Sequence, residues 1–346
     1  MPSAQVKAPS RLQGLLGREP DITRLTIMLI VVYAAMALLR PGIFLTKDYT
    51  ISILYLFPEY GVLSLAMMLA LISGGIDLSI VAVADLAGIA SCKLLVAAMP
   101  EDASLPVATL VLLVAVLFAV LIGAICGALS STLIAIIGIP PMLATLGSAD
   151  LILGLAVAIT KGSSVKNLPP ILSDVVNTNL LGVIPVTTVV FAFCAILVSY
   201  LLTQSSYGFK LVMLGSNKVA SRYAGLHNTK IIFQTYILSG ILSSLSGVLM
   251  CARFNSARSD FGTSYTLQAL LVCVLAGVNP KGGYGKVKGV VLAILILQIL
   301  SSGFNMFPTI SNFYRNLIWG LVLLLIMVYN HFSERHQAKK MAIKIK

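Results

Sequence analysis

The stretch from residue 106 to residue 134 decides the fold class, because it reads PVATLVLLVAVLFAVLIGAICGALSSTLI and holds no charged side chain. A bilayer core of about 30 Å needs about 20 apolar residues in a helix, and each backbone polar group inside it must be hydrogen-bonded by a helix or a closed barrel. The run is far longer than a barrel strand and lacks period-two alternation. It therefore predicts a transmembrane helix.

Composition extends this prediction to the whole chain. Of the 346 residues, 58% are hydrophobic and only 10% are charged, whereas a soluble domain carries about a quarter charged residues. Too few charges remain to cover a water-exposed surface, so lipid must solvate much of it. The formal net charge of +12 does not indicate nucleic acid, because the basic residues lie at the ends of apolar runs. The predicted fold class is an all-α polytopic transmembrane bundle.

Ten spans follow when the same argument is applied along the chain. Basic residues concentrate before the first span, after the sixth and the eighth, and in the tail, so the positive-inside rule places both termini in the cytoplasm. The predicted parts are a cytoplasmic N-terminal tail (1–23), a transmembrane domain (24–330) with a long cytoplasmic loop (204–230), and a basic cytoplasmic tail (331–346). The ten spans are predicted near 24–39, 50–73, 80–99, 106–134, 142–160, 184–203, 231–253, 265–278, 287–304 and 313–330.

Proline and glycine interrupt several of these helices. Pro58 lies within the second run, Gly74-Gly75 ends it, and Pro140-Pro141 closes the fourth. Broken helices at membrane depth are tolerated where they face protein or a water-filled cavity, and transporters use them for solute passage. The alternative is ordinary loop punctuation. The similar span lengths within 50–160 and 231–330, with opposite starting sides, also fit an inverted repeat, although the halves share no convincing sequence similarity.

The loop 204–230 carries the signals of a short capped helix. Asn217 is a good N-cap, Lys218 to Ala224 supply about two turns, and Gly225 suits the position after the C-cap. Gly215 allows a close approach of the backbone. Such a helix, held out between two spans, can fit a groove on another protein. The alternative is a connecting loop with one helical turn.

Carboxylates lie inside or at the edges of the spans. A charge at the bilayer centre costs about 3 kcal/mol on insertion scales, so such residues usually face the bundle interior. Asp77 either caps the next helix by accepting backbone N–H bonds or lines a solute pathway. Glu59 and Asp85 are pathway candidates because a carboxylate accepts bonds from solute hydroxyls, with structural hydrogen bonding as the alternative. Lys93 is expected to extend outward from its span.

The chain carries no nucleotide-binding motif of its own. The glycine-rich turn at 275–289 fails the GxxxxGK[ST] pattern, because Val287 follows Lys286, and it fails GxGxxG as well. The five cysteines are odd in number, lie in apolar stretches and lack CxxC spacing, so they are expected to be buried hydrophobes. The sequence therefore predicts no catalytic residue, no metal and no cofactor.

Four segments, in this order, resemble the permease subunits of ribose-type and related simple-sugar ABC importers, the inner-membrane components of binding-protein-dependent transport. They are GGIDLS at 74–79, IPPMLATLG at 139–147, YGF at 207–209 followed by GSNKVASRYAG at 215–225, and the glycine turn from Gly277 to Gly289. The resemblance covers nearly the whole chain.

The resemblance implies a dimeric permease with about ten spans per subunit in a bacterial inner membrane. It implies a separate ATPase, an extracytoplasmic solute-binding protein and a sugar-like solute. It also implies that 215–225 is the coupling helix docked on the ATPase, with contacts at Gly215, Asn217, Lys218, Arg222 and Gly225.

This chain departs from the family pattern in three places. TLQAL at 266–270 replaces an acid-rich stretch, Ala276-Gly277 replaces a glycine pair, and Val81-Ala82 replace Gly-Ser, with an additional acid at Asp85. The fold prediction is unaffected. The departures indicate a divergent solute or one member of a heteromeric permease pair.

Two other functional classes stay open. Intramembrane carboxylates and broken helices also fit a secondary transporter that uses an ion gradient to move a small polar solute. A membrane enzyme acting on lipid-linked substrates would need clustered acids or histidines at an interface, which this sequence lacks.

Overall fold

The computed structural model describes residues 20–306, apart from 101 and 181, and five further positions at 317, 320, 321, 324 and 328. Within these residues the chain is almost entirely helical, with one two-stranded antiparallel hairpin, β1 Asn179–Leu180 and β2 Ile184–Pro185. A π-helical turn, Leu133–Ile137, extends the sixth helix. The helices are α1 Pro20–Leu39, α2 Pro41–Phe44, α3 Lys47–Leu56, α4 Pro58–Ile72, α5 Ile80–Ala98, α6 Leu105–Thr132, α7 Pro141–Thr160, α8 Pro170–Asn177, α9 Val186–Thr203, α10 Ser206–Ser216, α11 Lys218–Tyr223, α12 Asn228–Phe254, α13 Tyr265–Leu275 and α14 Val287–Asn305.

Eight helical segments of the described chain are long and apolar enough to cross a membrane: α1, α3 with α4, α5, α6 with its π-helical turn, α7, α9, α12 and α14. They match eight of the ten predicted spans and confirm the polytopic all-α class. The helix of the predicted span at 265–278 is shorter than predicted. It is α13, which has 11 residues, so at about 1.5 Å per residue it covers only part of a core of about 30 Å, and the chain completes this crossing with residues outside the helix. The predicted span at 313–330 lies largely outside the described residues.

Helix α12 forms the centre of the bundle. It packs against α4, α5 and α6, while α4 also packs against α9 and α13. Every residue of α4 is buried, as expected for a helix that is apolar on all faces. In the 18-residue apolar stretches of α1, α6, α7 and α9, only 11 to 28% of the residues are buried inside the protein. These four helices therefore present the broad apolar surface that lipid covers.

Small residues allow α12 to approach its neighbours closely. A Cβ atom added at Gly247 would overlap the carbonyl oxygen of Ala84 in α5. Gly240 of α12 and Gly123 of α6 face each other's main chain with equally little space. Apolar side chains gain little from leaving lipid, so close van der Waals packing between small residues is a main source of association between membrane helices.

The predicted interruption at Pro58 is confirmed as a break between α3 and α4. Proline has no N–H, so the carbonyl of Leu54, four residues earlier, loses its helical donor. The hydroxyl of Thr188, at the start of α9, donates to that carbonyl oxygen at 2.6 Å. The carbonyl group freed at the break is therefore hydrogen-bonded by a neighbouring helix, as a buried backbone group in a membrane requires.

The two ends of the bundle carry different elements. At the end called here the α11 end, α10 and α11 lie with the start of α1, where Asp21 is beside Gly277. Helix α12 has 27 residues, so its far end lies about 40 Å away. At that α8 end, Val165 and Ala257 form an antiparallel bridge.

Lys93 lies at the α8 end of the bundle. Its Nζ donates to the carbonyl oxygen of Ile159 at 2.7 Å. Ile159 is in the last turn of α7, where carbonyl groups lack helical donors, so the lysine stabilises the end of that helix.

Candidate functional site

Helix α11 is a six-residue helix whose ends are fixed by side chains. The Oδ1 atom of Asn217 accepts bonds from the N–H groups of Val219 and Ala220 at 3.0 and 2.9 Å. Gly225 follows the last turn with a left-handed φ of 80°. The predicted cap and the predicted role of the glycine in ending the helix are both confirmed.

Further hydrogen bonds hold α11 against the start of α12. The hydroxyl of Ser221 donates to Oδ1 of Asn228 at 2.7 Å, and Nδ2 of Asn228 donates to the carbonyl oxygen of Lys218 at 2.9 Å. Two contacts therefore join α11 to a helix that runs through the centre of the bundle. A displacement of α11 would therefore be passed to α12 through these hydrogen bonds.

The outward surface of α11 is both apolar and basic. Val219 is 65% exposed and Tyr223 is 88% exposed, and the side chains of Lys218 and Arg222 are exposed beside them. Val219 and Tyr223 are four residues apart, so they share one side of the helix, and the same holds for Lys218 and Arg222. Sequence reasoning found the two basic residues but missed Val219 and Tyr223, although the same spacing would have located them.

The last turn of α10, directly before α11, contacts the end of α4. The contact is called here the glycine junction and is defined as Gly74, Gly215, Gly282 and Gly283. The N–H of Gly283 donates to the carbonyl oxygen of Ile72, the last residue of α4, at 2.9 Å. A Cβ atom at Gly215 would overlap that same oxygen, and one at Gly282 would lie 2.6 Å from the carbonyl oxygen of Gly215. Three chain segments thus meet main chain to main chain.

Asp77 is buried in the loop between α4 and α5, and all of its bonds are internal. Its Oδ1 accepts the N–H of Ser79 at 3.0 Å and the Ser79 hydroxyl at 2.6 Å, while Oδ2 accepts the Ser239 hydroxyl at 2.7 Å. The residue at the N-cap position of α5 is Ser79. Asp77 therefore accepts a backbone N–H directly before α5, as the capping interpretation expects, and its second oxygen also ties the loop to α12.

Glu59 lies in the first turn of α4 and forms an ion pair with Arg253. The distance from Oε1 to Nη1 of Arg253 is 2.8 Å, with the glutamate side chain 3% exposed and the arginine side chain 17% exposed. The Tyr265 hydroxyl also donates to Glu59 Oε1. The Glu59–Arg253–Tyr265 unit therefore joins α4, α12 and α13.

A cavity of about 360 Å³ lies against this unit and is called here the Arg253 cavity. It is formed where α12 and α14 end and where α4 and α13 begin. The rings of Tyr60 and Tyr265 are 5.9 Å apart between centroids. The lining residues are Leu56, Tyr60, Arg253, Phe254, Tyr265, Gln268, Leu297, Gln298, Ser301 and Asn305.

Asp85 is also buried, on α5. Among the described residues, no hydrogen bond or ion pair engages its carboxyl group. The structure does not bring the three predicted carboxylates together: α4 has 15 residues, so it separates Glu59 from Asp77 by about 20 Å. Asp85 does not line the Arg253 cavity.

The described residues offer no centre for catalysis by a metal. No group of three or more His, Cys, Asp or Glu side chains among them could hold a metal ion. All five cysteines are buried, which confirms the prediction that they serve as small apolar side chains.

The family comparison and the comparison with individual proteins both point to import permeases. The family described as branched-chain amino acid transport system, permease component, matches residues 49–327. The chain is 30% identical over 283 residues to the autoinducer 2 import system permease protein LsrD of Yersinia enterocolitica, which covers 80% of this chain and 82% of that protein. It is 29% identical over 282 residues to the LsrD protein of Photorhabdus luminescens, with coverages of 80% and 81%.

No solved structure matches this chain. The family match spans all the membrane-length helices of the described chain except α1, and it includes the segments on which the predicted resemblance was based, so that resemblance is confirmed. The chain belongs to the branched-chain amino acid transport system permease family and is a membrane permease subunit of an ABC importer rather than an enzyme.

Proposed function

We propose that this permease subunit moves a sugar-like solute and is driven by an ATPase that docks on α11. The observation that carries the proposal is the exposed surface of α11, where Val219 and Tyr223 stand beside two cations. Exposed apolar and aromatic side chains of this kind are typical of protein interfaces. The chain has no nucleotide-binding motif, which supports a separate subunit for ATP hydrolysis.

Each predicted coupling residue has a distinct part in this proposal. Lys218 and Arg222 pair with acidic groups on the ATPase, and Val219 and Tyr223 fill an apolar groove between them. Asn217 and Gly225 keep the docking helix folded, while Gly215 allows its base to rest on α4. The helix is therefore presented to the ATPase as a rigid projection.

The proposed orientation puts the α11 end in the cytoplasm. Lys210, Lys218, Arg222 and Lys230 cluster at this end, in agreement with the positive-inside rule. The chain would then be a multi-pass inner-membrane protein with cytoplasmic tails at 1–23 and 331–346 around a permease domain at 24–330. A solute-binding protein would deliver its cargo at the α8 end, to a dimer formed with an identical or a related permease subunit.

The solute class is proposed from the relatives together with the chemistry of the site. The LsrD relatives are named for the import of autoinducer 2. The family match favours ATP-driven import over the ion-gradient alternative. Cells that produce the complete transporter are expected to accumulate labelled D-ribose or autoinducer 2. Uptake into ATP-free vesicles driven only by a proton or sodium gradient would contradict the proposal.

The docking role of α11 is tested by co-purification with the ATPase. Arg222→Glu and Tyr223→Ala are expected to reduce the recovered ATPase, because the first reverses a contact charge and the second removes the most exposed aromatic ring. Lys166→Glu, an equal charge reversal at an exposed position near the α8 end, serves as the control. Undiminished recovery with both α11 variants would refute the assignment.

The orientation has its own test. A cysteine introduced at the exposed position Ala220 is expected to react with a membrane-impermeant maleimide only after cells are opened, since the five native cysteines are buried. Labelling in intact cells would place α11 outside the cell. That result would exclude docking to a cytoplasmic ATPase.

A further inference from the structure

We propose that the Arg253 cavity is a solute-binding site that selects an uncharged, polyhydroxylated molecule, with Gln268 and Ser301 as its specificity-determining residues. This inference rests on the proposed import of a sugar-like solute and adds the site and its selectivity.

The position of the cavity in the fold fits solute passage. It lies towards the α8 end, because Arg253 and Phe254 are the last residues of α12, and it is lined where α4 begins after the Pro58 break and where the 11-residue α13 begins. Transporters commonly build solute sites from such discontinuous helices, because helix ends leave backbone groups available at membrane depth. The cavity volume of about 360 Å³ falls within the range of about 300–1,000 Å³ found for small-molecule sites.

The charge balance of the site selects a neutral solute. Among the described residues of the lining, Arg253 is the one cation, and its charge is paired with that of Glu59 at 2.8 Å. The other lining residues carry no charge. A zwitterionic amino acid would need a partner for both its ammonium and its carboxylate group, and neither partner is available without breaking a buried ion pair. The site therefore favours hydroxyl groups over charged groups.

The hydrogen bonds already made in the lining show which groups remain for a solute. The Tyr60 hydroxyl donates to the carbonyl oxygen of Ile294 and contacts Oε1 of Gln298 at 3.1 Å each. Nε2 of Gln298 donates to the Ser302 hydroxyl at 2.9 Å. These groups form a fixed wall and are committed to partners within the protein.

Gln268 and Ser301 are different from the groups of that wall. Both line the cavity, and within the described part of the chain neither side chain has a hydrogen-bonding partner. The glutamine amide offers donors and an acceptor, and the serine hydroxyl offers both functions as well, which suits adjacent hydroxyls on one solute. Leu56 and Leu297 supply an apolar surface for the carbon skeleton. This combination of apolar wall and few polar groups is typical of small-molecule sites.

The proposal is tested by uptake into cells that produce the complete transporter, with labelled D-ribose, D-xylose and ribitol as neutral probes and L-leucine as the zwitterionic probe. Gln268→Ala and Ser301→Ala are each expected to raise KM for the transported neutral probe by roughly fivefold, which corresponds to one lost hydrogen bond. ATPase co-purification and protein level are expected to be unchanged. Leu267→Ala is the matched control, because it truncates the adjacent residue of α13, which is 56% exposed.

The outcomes separate this inference from the function on which it rests. Neutral-probe uptake with an unaltered KM in both cavity variants would overturn the cavity assignment and leave sugar import standing. A wild-type transporter that moves L-leucine, or that moves neither autoinducer 2 nor any of the three neutral probes, would overturn both. An equal rise in KM for Leu267→Ala would also overturn the inference, since the effect would then come from α13 as a whole.

Discussion

The ion pair between Glu59 and Arg253 gives the sharpest test of how this bundle is held together. Both side chains are largely buried, at 3% and 17% exposure. Breaking a buried pair by removing one partner typically costs about 3–5 kcal/mol, because it leaves the other charge unpaired in a medium of low dielectric constant. Replacing the whole pair with uncharged groups is often neutral.

The structure orders the two single variants. Arg253→Met leaves the deeper charge unpaired, but the Tyr265 hydroxyl still donates to Glu59, so the cost is expected near the lower limit, at about 3 kcal/mol. Glu59→Gln leaves the more exposed Arg253 beside a neutral acceptor, so the expected cost is smaller, at about 2 kcal/mol. The double variant is expected to lose about 3 kcal/mol less than the sum of the singles, and so less than Arg253→Met alone, since neither charge remains.

The free energy of unfolding, measured by denaturant titration in detergent micelles, checks all three values. Arg258→Met is the control, because Arg258 and Asp260 form a pair of similar length, 2.7 Å, in which the side chains are 52% and 57% exposed. Exposed pairs contribute about 0–1 kcal/mol. The reasoning is refuted if the two single effects add within about 0.5 kcal/mol in the double variant, or if Arg258→Met costs as much as Arg253→Met.

Three further predictions concern α5, α12 and the Pro58 break. Asp85→Asn is expected to raise thermal stability in detergent, because it replaces a buried ionisable group that has no partner within the described residues with one that cannot ionise, and to lower solute uptake; unchanged uptake would remove Asp85 from the pathway. Gly247→Leu is expected to abolish folded protein on size-exclusion chromatography by forcing α12 from α5, whereas Gly154→Leu, with no atom near its Cβ position, is tolerated. Thr188→Val is expected to cost about 1–2 kcal/mol in the same denaturant titration, because it leaves the Leu54 carbonyl unpaired; a smaller loss would argue against that bond.

Much of the fold could be predicted because lipid imposes a simple rule on the sequence. Each long apolar run had to be a helix, and the described part of the chain contains eight such segments. The rule failed at 265–278, where the apolar residues Leu271 to Leu275 are buried by neighbouring helices. Hydropathy cannot distinguish a residue covered by protein from one covered by lipid, so α13 was predicted too long.

Local features of the site could be predicted from the sequence, whereas contacts between distant residues could not. The caps of α11 depend on residues within a few positions of each other, so Asn217 and Gly225 could be identified from the sequence alone. The partners of Glu59 could not, because Tyr265 lies 206 positions away and no periodicity links the two. The bond from Ser239 to Asp77 was missed for the same reason, because the two residues are 162 positions apart.

The glycine junction has a mechanical consequence for a permease that is driven through α11, as proposed above. A side chain placed between two helices can change rotamer and absorb a small displacement, but opposed main-chain atoms have no such freedom, and close-packed interiors are nearly incompressible. If an ATPase displaces α11, the junction is therefore expected to pass that displacement to the end of α4 with little loss. Because Glu59 lies at the other end of α4, a rigid displacement of this helix would also move the wall of the Arg253 cavity.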